Sequence, residues 1–327
     1  MKTITFKQAL NNAMDEELSR DRNVFLLGED IGLNGGVFHV TDGLFQKYGF
    51  ERVKQTPISE NAIIGAAIGS SMLGLRPVAE IMYFDFIAVA MDQVINQAAK
   101  IRYMSGGQLK LPLVIRTQAG AGRGKGSQHS QYLEALFFHI PGIKIALPSN
   151  PYDAKGMLKT AIRDDNPVLF IENAFLYNLK GEVPDEDYTV LFGKAEIKKE
   201  GNDITIVSYS MMVNKCINVA KDLEQSGISV EVIDLKTIQP LDIDTVIKSV
   251  KKTGRLLIAH ESYKKGGVGA EIASQVMEKA FDYLDAGIER LGEKEAPIPF
   301  AETLEKVIVP GEEDIKKKCE ILMGLSD

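Results

Sequence analysis

The 327-residue sequence has no tryptophan, two cysteines and four histidines. Cys216 and Cys319 belong to no CxxC and no Cys/His cluster, which leaves no zinc or redox motif and suits a reducing cytoplasm. Positive charge is not in excess either: a net charge of -7 provides no footprint for nucleic acid and no basic anchor for an anionic membrane. The longest apolar run, residues 62–75, is shorter than a membrane span and is interrupted by glycine and serine. The opening Met-Lys-Thr-Ile-Thr-Phe-Lys lacks the apolar core of a signal peptide and the arginines of a transit peptide, so a cytoplasmic chain is expected. There is no G-x-S-x-G elbow of a hydrolase.

What remains is an ordinary globular composition, 45% hydrophobic and 25% charged, at a length that suits about two domains. Apolar positions at Phe6, Ala9, Leu10, Ala13, Met14 and Leu18 predict a helix over 5–20. Val24–Leu27, Val78–Met82, Leu113–Arg116, Lys144–Ala146 and Val168–Glu172 read as short buried strands. Helices are expected between them, including a long one over 85–104 and another over Pro151–Arg163. After a stretch rich in turn-forming and acidic residues, Ile204–Val207, Val230–Ile233 and Leu256–Ala259 continue the alternation. Strands alternating with helices predict an α/β fold of two consecutive parallel-sheet domains, at 1–178 and 201–327, joined by a linker over 179–200.

The segment Thr56-Pro57-Ile58-Ser59-Glu60 leads directly into an apolar helix of small residues. Pro57 keeps Thr56 extended and Ser59 is placed to cap the helix. Glu60 then falls in the first turn, where the helix dipole favours its charge. Gly65 and Gly69, four apart on one face, predict close backbone packing behind it. An acidic first-turn residue on a surface helix fits the same spacing. Met82-Tyr83-Phe84-Asp85-Phe86 sets large apolar groups just past a strand end, either as core or as a wall for a flat heteroaromatic ring.

The loop Gly120-Ala121-Gly122-Arg123-Gly124-Lys125-Gly126-Ser127 fails as a P-loop because Ala119 stands where the first glycine belongs. Lys125 occupies the third glycine of the dinucleotide fingerprint, so this reads as a glycine-rich loop beside a site and not as a phosphate cradle. Gln128-His129-Ser130-Gln131 follows, a histidine whose neighbours are able to fix its tautomer, in a structural or a catalytic role.

Taken together, these segments resemble the β subunit of the E1 component of thiamine-diphosphate-dependent 2-oxo acid dehydrogenases, the pyruvate, acetoin and branched-chain enzymes. The matching residues are Gly28-Glu29-Asp30, Thr56–Glu60, Gly74-Leu75-Arg76-Pro77, Asp92-Gln93, Tyr103-Met104-Ser105-Gly106-Gly107 and Gln128–Gln131. Pro141-Gly142, Asp153–Gly156, Gly181–Pro184, Val232–Leu235, Pro240–Asp242 and Gly269–Ile272 extend the match to the whole chain. The family carries a pyrimidine-binding domain followed by a transketolase-type C-terminal domain.

The resemblance implies that Glu60 hydrogen-bonds N1′ of the cofactor's aminopyrimidine, favouring the imino tautomer that takes the thiazolium C2 proton. Met82 and Phe86 fall on positions lining the pyrimidine pocket. His129 matches the histidine that faces substrate and the lipoyl group. Leu113, Ala161, Ile162, Asp164 and Asn166 fall on positions that hold a structural potassium ion, largely through main-chain carbonyls. Gln55 departs from the aspartate common before Thr-Pro in the family and lies outside these contacts. The superfamily's magnesium motif, Gly-Asp-Gly, is missing from the sequence. The chain is therefore expected to hold half of a site, with Mg2+ and the diphosphate on an α subunit in an α2β2 heterotetramer and an E2 lipoyl acyltransferase as further partner. The expected reaction is oxidative decarboxylation of a 2-oxo acid, pyruvate first, with acetoin or branched-chain substrates as alternatives. A split transketolase-like transferase and a non-catalytic scaffold subunit are the competing classes; the presence of both Glu60 and His129 speaks against the scaffold.

Overall fold

The computed structural model describes residues 1–325 and divides into two compact units, Met1–Ala119 with Leu136–Phe192, and Gly120–Ala135 with Gly193 onward. The segment 120–135 thus lies within the sequence range expected for the first domain and packs with the second.

The first unit is built on strands β2 (Val24–Glu29), β3 (Val53–Thr56), β4 (Arg76–Tyr83), β5 (Val114–Ala119), β6 (Lys144–Ala146) and β7 (Val168–Asn173). Their order is β6-β7-β5-β4-β2-β3, and every pair is parallel. β5 and β7 are buried along their full length, as central strands covered on both faces must be. A separate antiparallel pair joins β1 (Lys2–Thr5) to β8 (Lys180–Val183).

Helix α1 (Phe6–Arg20) starts with a capping box between Thr5 and Gln8 and buries the apolar stripe that its spacing predicts. It also buries Glu17, which receives Arg163 of α6 (Pro151–Arg163) at 2.6 and 3.0 Å and Arg20 at 2.7 Å. Three short helices, α2 (Leu44–Tyr48), α4 (Ile101–Met104) and α5 (Glu134–Phe138), and α3 (Glu60–Met72) complete the series. Ser59 precedes α3 as expected, but its side chain makes no capping hydrogen bond.

The long helix expected over 85–104 is broken into a 3₁₀ segment at Phe84–Ala90, a π segment at Gln93–Ala98 and α4. The close backbone packing expected at Gly65 and Gly69 also differs. A Cβ at Gly69 would meet nothing within 4 Å, and one at Gly65 only the Gln93 side chain, at 3.5 Å.

The second unit carries β9 (Glu196–Lys199), β10 (Ile204–Ser208), β11 (Val230–Asp234), the short β12 (Thr237–Gln239), β13 (Leu256–Tyr263) and β14 (Glu289–Glu293). Its five-stranded sheet runs β14-β13-β10-β11-β9, parallel except for β9. The stretch 179–200, expected as a linker, therefore contributes two strands, β8 and β9. Helices α7 (Met211–Gln225), α8 (Ile243–Thr253), α9 (Val268–Ala280), α10 (Glu302–Ile308) and α11 (Glu312–Leu322) accompany the sheet. One core cluster joins Ile204, Ile206, Val230, Val232 and Leu257 to Cys216, Val219, Ala220 and Leu223 of α7 and to Ile315, Cys319 and Leu322 of α11. Among the described residues no helix is long and apolar enough to cross a membrane.

Candidate active site

In a parallel α/β sheet, sites gather at the carboxyl ends of the strands. β2 ends at Glu29, which is in register with Thr56, the last residue of β3. Four residues later Glu60 opens α3, half-buried. Burial first, and then the charges of Glu60 and Asp30, raise Glu29 above the usual carboxylate range. Glu60 is thus near enough for its charge to act on Glu29 at this end of the sheet. The sequence reading selected only Glu60; the signal for Glu29 is its place immediately after an apolar strand, in Gly28-Glu29-Asp30.

β4 supplies the neighbouring wall. Ile81 pairs with Thr117 and Tyr83 with Gln118, so Met82 is an extra residue bulged out of the ladder. Such a bulge bends the strand and re-aims its side chains, a device common beside sites. Met82 is half-buried, as is Phe86 in the following 3₁₀ turn. The Tyr83 ring lies 5.4 Å from Phe86 and 5.4 Å from Phe38, both edge-on. The end of β4 therefore carries a thioether and an aromatic surface.

Beneath it, Arg116 spans the three central strands. Its Nη1 donates to Glu80 at 2.7 Å, while Nε and Nη2 donate to Glu172 at 2.7 and 2.9 Å. The Tyr177 hydroxyl also donates to Glu172, at 2.8 Å. Burial raises Glu172 despite the pull of Arg116. The sequence marks these strands as buried; the signal for the network is the charged residue that each of them carries, Glu80, Arg116 and Glu172.

Leu113, Ala161, Ile162, Asp164 and Asn166 all lie in the first unit. Nη1 of Arg76 donates to the Ile162 and Asp164 carbonyls at 3.0 and 3.1 Å. The Asp164 amide donates to the Ala161 carbonyl at 3.3 Å, and the Val168 amide to that of Leu113 at 2.8 Å. Burial pushes the Asp164 carboxyl up, but hydrogen bonds from Lys144 and Asn166 outweigh it and hold the group below its ordinary range. The C-terminal end of α6 thus turns carbonyl oxygens toward a cationic group, the guanidinium of Arg76.

His129 is half-buried and belongs to the second unit with the whole glycine-rich loop. Gly120, Gly122, Gly124 and Gly126 all have positive φ, between 60° and 109°, where a side chain is strained. The Ala121 amide donates to Glu261 at 3.2 Å, the Gly124 amide to Glu305 at 3.1 Å, and the Gly122 amide to the other Glu305 oxygen. Ser127 donates to the Ile298 carbonyl at 2.7 Å. On the far side of His129, Tyr132 and Ser210 share a hydrogen bond of 2.9 Å, and Tyr209 donates to the buried Glu134 at 2.6 Å. Burial raises Glu134 against the hydrogen bonds from Ser262 and Tyr209.

The family models also give two domains, but they keep 120–135, and His129 with it, in the first. The transketolase pyrimidine binding domain matches residues 2–180 and the transketolase C-terminal domain matches residues 193–315. The pyruvate dehydrogenase E1 component subunit beta of Rickettsia felis is 48% identical, covering 97% of this chain and 98% of its own. The acetoin:2,6-dichlorophenolindophenol oxidoreductase subunit beta of Cupriavidus necator is 47% identical, and the 2-oxoisovalerate dehydrogenase subunit beta of Bacillus subtilis 46%, each with 94% of both chains covered. A solved structure described as a split gene transketolase, inactive beta4 tetramer, has the same fold, with a TM-score of 0.81 at 24% identity over 99% of both chains. The chain belongs to the transketolase-like family of E1 β subunits of the 2-oxo acid dehydrogenases.

Proposed function

We propose that this chain is the β half of an E1 component that oxidatively decarboxylates pyruvate and passes the acyl group to lipoyl-lysine of an E2 acyltransferase. Relatives named for pyruvate, acetoin and 2-oxoisovalerate enzymes, matched over nearly their whole length, support the reaction class. Pyruvate is preferred from Met82–Phe86 and Tyr103–Gly107, with acetoin cleavage as the second reading.

Glu29 and Glu60, which follow the neighbouring strands β2 and β3, and the bulged Met82 of β4 on the other side of β2 support the cofactor reading. A carboxylate beside an apolar, partly aromatic wall fits the aminopyrimidine of thiamine diphosphate, whose flat ring has a basic nitrogen at one edge. When bound, the cofactor supplies the thiazolium carbon that attacks the 2-oxo group. Glu60 holds the proton at N1′ of the pyrimidine, which requires a carboxyl group and not merely a polar one. Met82 and Phe86 keep water from that hydrogen bond and so strengthen it. His129 moves a proton during transfer of the acyl group to the lipoyl sulfur.

The missing Gly-Asp-Gly supports an α subunit that holds Mg2+ and the diphosphate in an α2β2 heterotetramer. The carbonyls of Leu113, Ala161, Ile162 and Asp164, with Asn166, are the proposed potassium ligands. A cytoplasmic setting accords with Cys216 and Cys319, both free thiols that burial pushes up to about 12. The test is reconstitution with the α subunit and comparison of pyruvate, 3-methyl-2-oxobutanoate and acetoin using a dye acceptor. Pyruvate should give the highest kcat/KM, and the β chain alone should be inactive. Turnover by the β chain alone would refute the half-site reading.

A further inference from the structure

Helix α10 is unusual in what it buries. Of its seven residues only Glu305 is buried, whereas Leu304 and Val307 are exposed at 57% and 54%. A short helix that turns its apolar residues outward and one carboxylate inward gains little from hydrophobic burial. A buried carboxylate is tolerated only when strong donors meet it. Here the donors are backbone amides of the glycine-rich loop: Gly122 to one oxygen, Gly124 to the other. Both glycines have positive φ, 98° and 60°, a geometry that aims alternate amides into one concavity. Such backbone nests hold anions.

The loop is thus an anion cradle after all, and its anion is supplied by the same chain. Glu261 takes the preceding amide, of Ala121. The backbone of Phe300, just before α10, closes on Gly124, where a Cβ would come within 3.3 Å of its carbonyl oxygen. The Phe300 ring covers Gly126, where a Cβ would come within 2.7 Å. Five residues after Gly124 the chain reaches His129.

We infer that Glu305 is a positioning residue for the acyl-transfer step, its carboxylate filling the backbone nest of the glycine-rich loop and thereby setting where His129 stands. This rests on the role given to His129 above. Both oxygens of Glu305 are engaged, so its amide isostere keeps one acceptor and turns an NH2 group toward the other N–H. Errors of about an ångström in a catalytic group cost on the order of a hundredfold in rate.

The test uses the α/β complex with free lipoyl domain. The acyl-transfer rate is divided by the dye-linked decarboxylation rate in the same preparation. Glu305→Gln should lower that ratio by about tenfold or more. It should also speed tryptic cleavage after Arg123 and Lys125, which no loss confined to chemistry would do. Glu305→Asp retains both oxygens one methylene short and should fall between Glu305→Gln and the parent, which keeps the test alive if the glutamine variant folds poorly. His129→Ala separates the two readings. If His129→Ala abolishes acyl transfer while Glu305→Gln leaves the ratio within about twofold, the positioning role is overturned. If His129→Ala transfers acyl groups at the parent rate, the role of His129 itself fails, and with it the functional half of this inference. Unchanged tryptic cleavage in Glu305→Gln would refute the clamp whatever the kinetics.

Discussion

Arg116 and Glu172 form a fork-to-fork pair across β5 and β7, Nε to Oε1 at 2.7 Å and Nη2 to Oε2 at 2.9 Å, with the remaining arm of the guanidinium on Glu80. Two carboxylates share one cation in the middle of a sheet. Replacing Arg116 by Met leaves both buried and uncompensated. The expected loss is about 3–5 kcal/mol, read as a fall in the thermal transition of the purified chain. Tyr177→Phe removes one hydrogen bond from the same network and should cost about 1 kcal/mol. A Met variant as stable as the parent would mean that the triad contributes nothing to the fold.

Glu60→Gln should fold normally, because the half-buried side chain opens a helix and packs no core. Its activity in the reconstituted complex should fall by about 10²–10⁴-fold, the span of a positioned acid–base group. Circular dichroism and kcat together make the check, and near-normal turnover would remove Glu60 from the proposed chemistry.

His260 gives a pH signature. Its ring is fully buried in the second unit, Nδ1 lies 3.1 Å from the Ser262 carbonyl, and burial pushes its pKa from 6.5 down to about 4. Between these values the unfolded chain binds a proton that the folded chain refuses. Stability should therefore decline as pH falls below about 6.5 and level off below about 4, by on the order of 3 kcal/mol in all. His260→Gln should flatten this part of the stability profile, measured as thermal midpoints between pH 7 and 4. Gly269→Ala probes the same ring sterically, since its Cβ would come within 2.9 Å of His260 Nε2, and should lower the midpoint through overpacking.

Exchange of potassium for tetramethylammonium at constant ionic strength should lower the thermal midpoint if the carbonyls at the end of α6 hold the ion. Mass action sets the size: at about one hundred times Kd the bound ion contributes about 2.7 kcal/mol. Equal midpoints in the two salts would count against the site.

The sequence pattern reads well wherever one physical signal dominates. α1 has a stripe of apolar residues and a capping box, and β5 and β7 are runs of buried residues; all are found where expected within a residue or three. It reads poorly where apolar residues continue around a helix. α3 has no polar face to contrast with its buried one, so Gly69 looked like a packing contact although its position is open. The break of 85–104 into 3₁₀, π and α pieces leaves no mark in composition. Glu60 is marked by its place at the start of a helix and Met82 and Phe86 by the resemblance, but Met82 as a bulge depends on counting residues against β5, which only paired strands reveal. Glu305 was invisible for another reason: in a short helix that carries Leu304, Val307 and Ile308, the apolar residues and not an acidic one are expected to face inward.

The extra residue in β4 also limits how this protein tolerates recombination. Upstream of Met82 the ladder with β5 follows one count, and downstream it follows another. A hybrid joined to a relative inside Ile81–Tyr83 inherits whichever count its two parents happen to sum to. Losing one residue there would straighten the strand: Tyr83 would follow Ile81 as directly as Gln118 follows Thr117, and the bend that aims the Met82–Phe86 wall would be lost. Crossovers between family members should therefore be placed before β4 or after the 3₁₀ segment, so that the strand and the wall it builds descend from one parent.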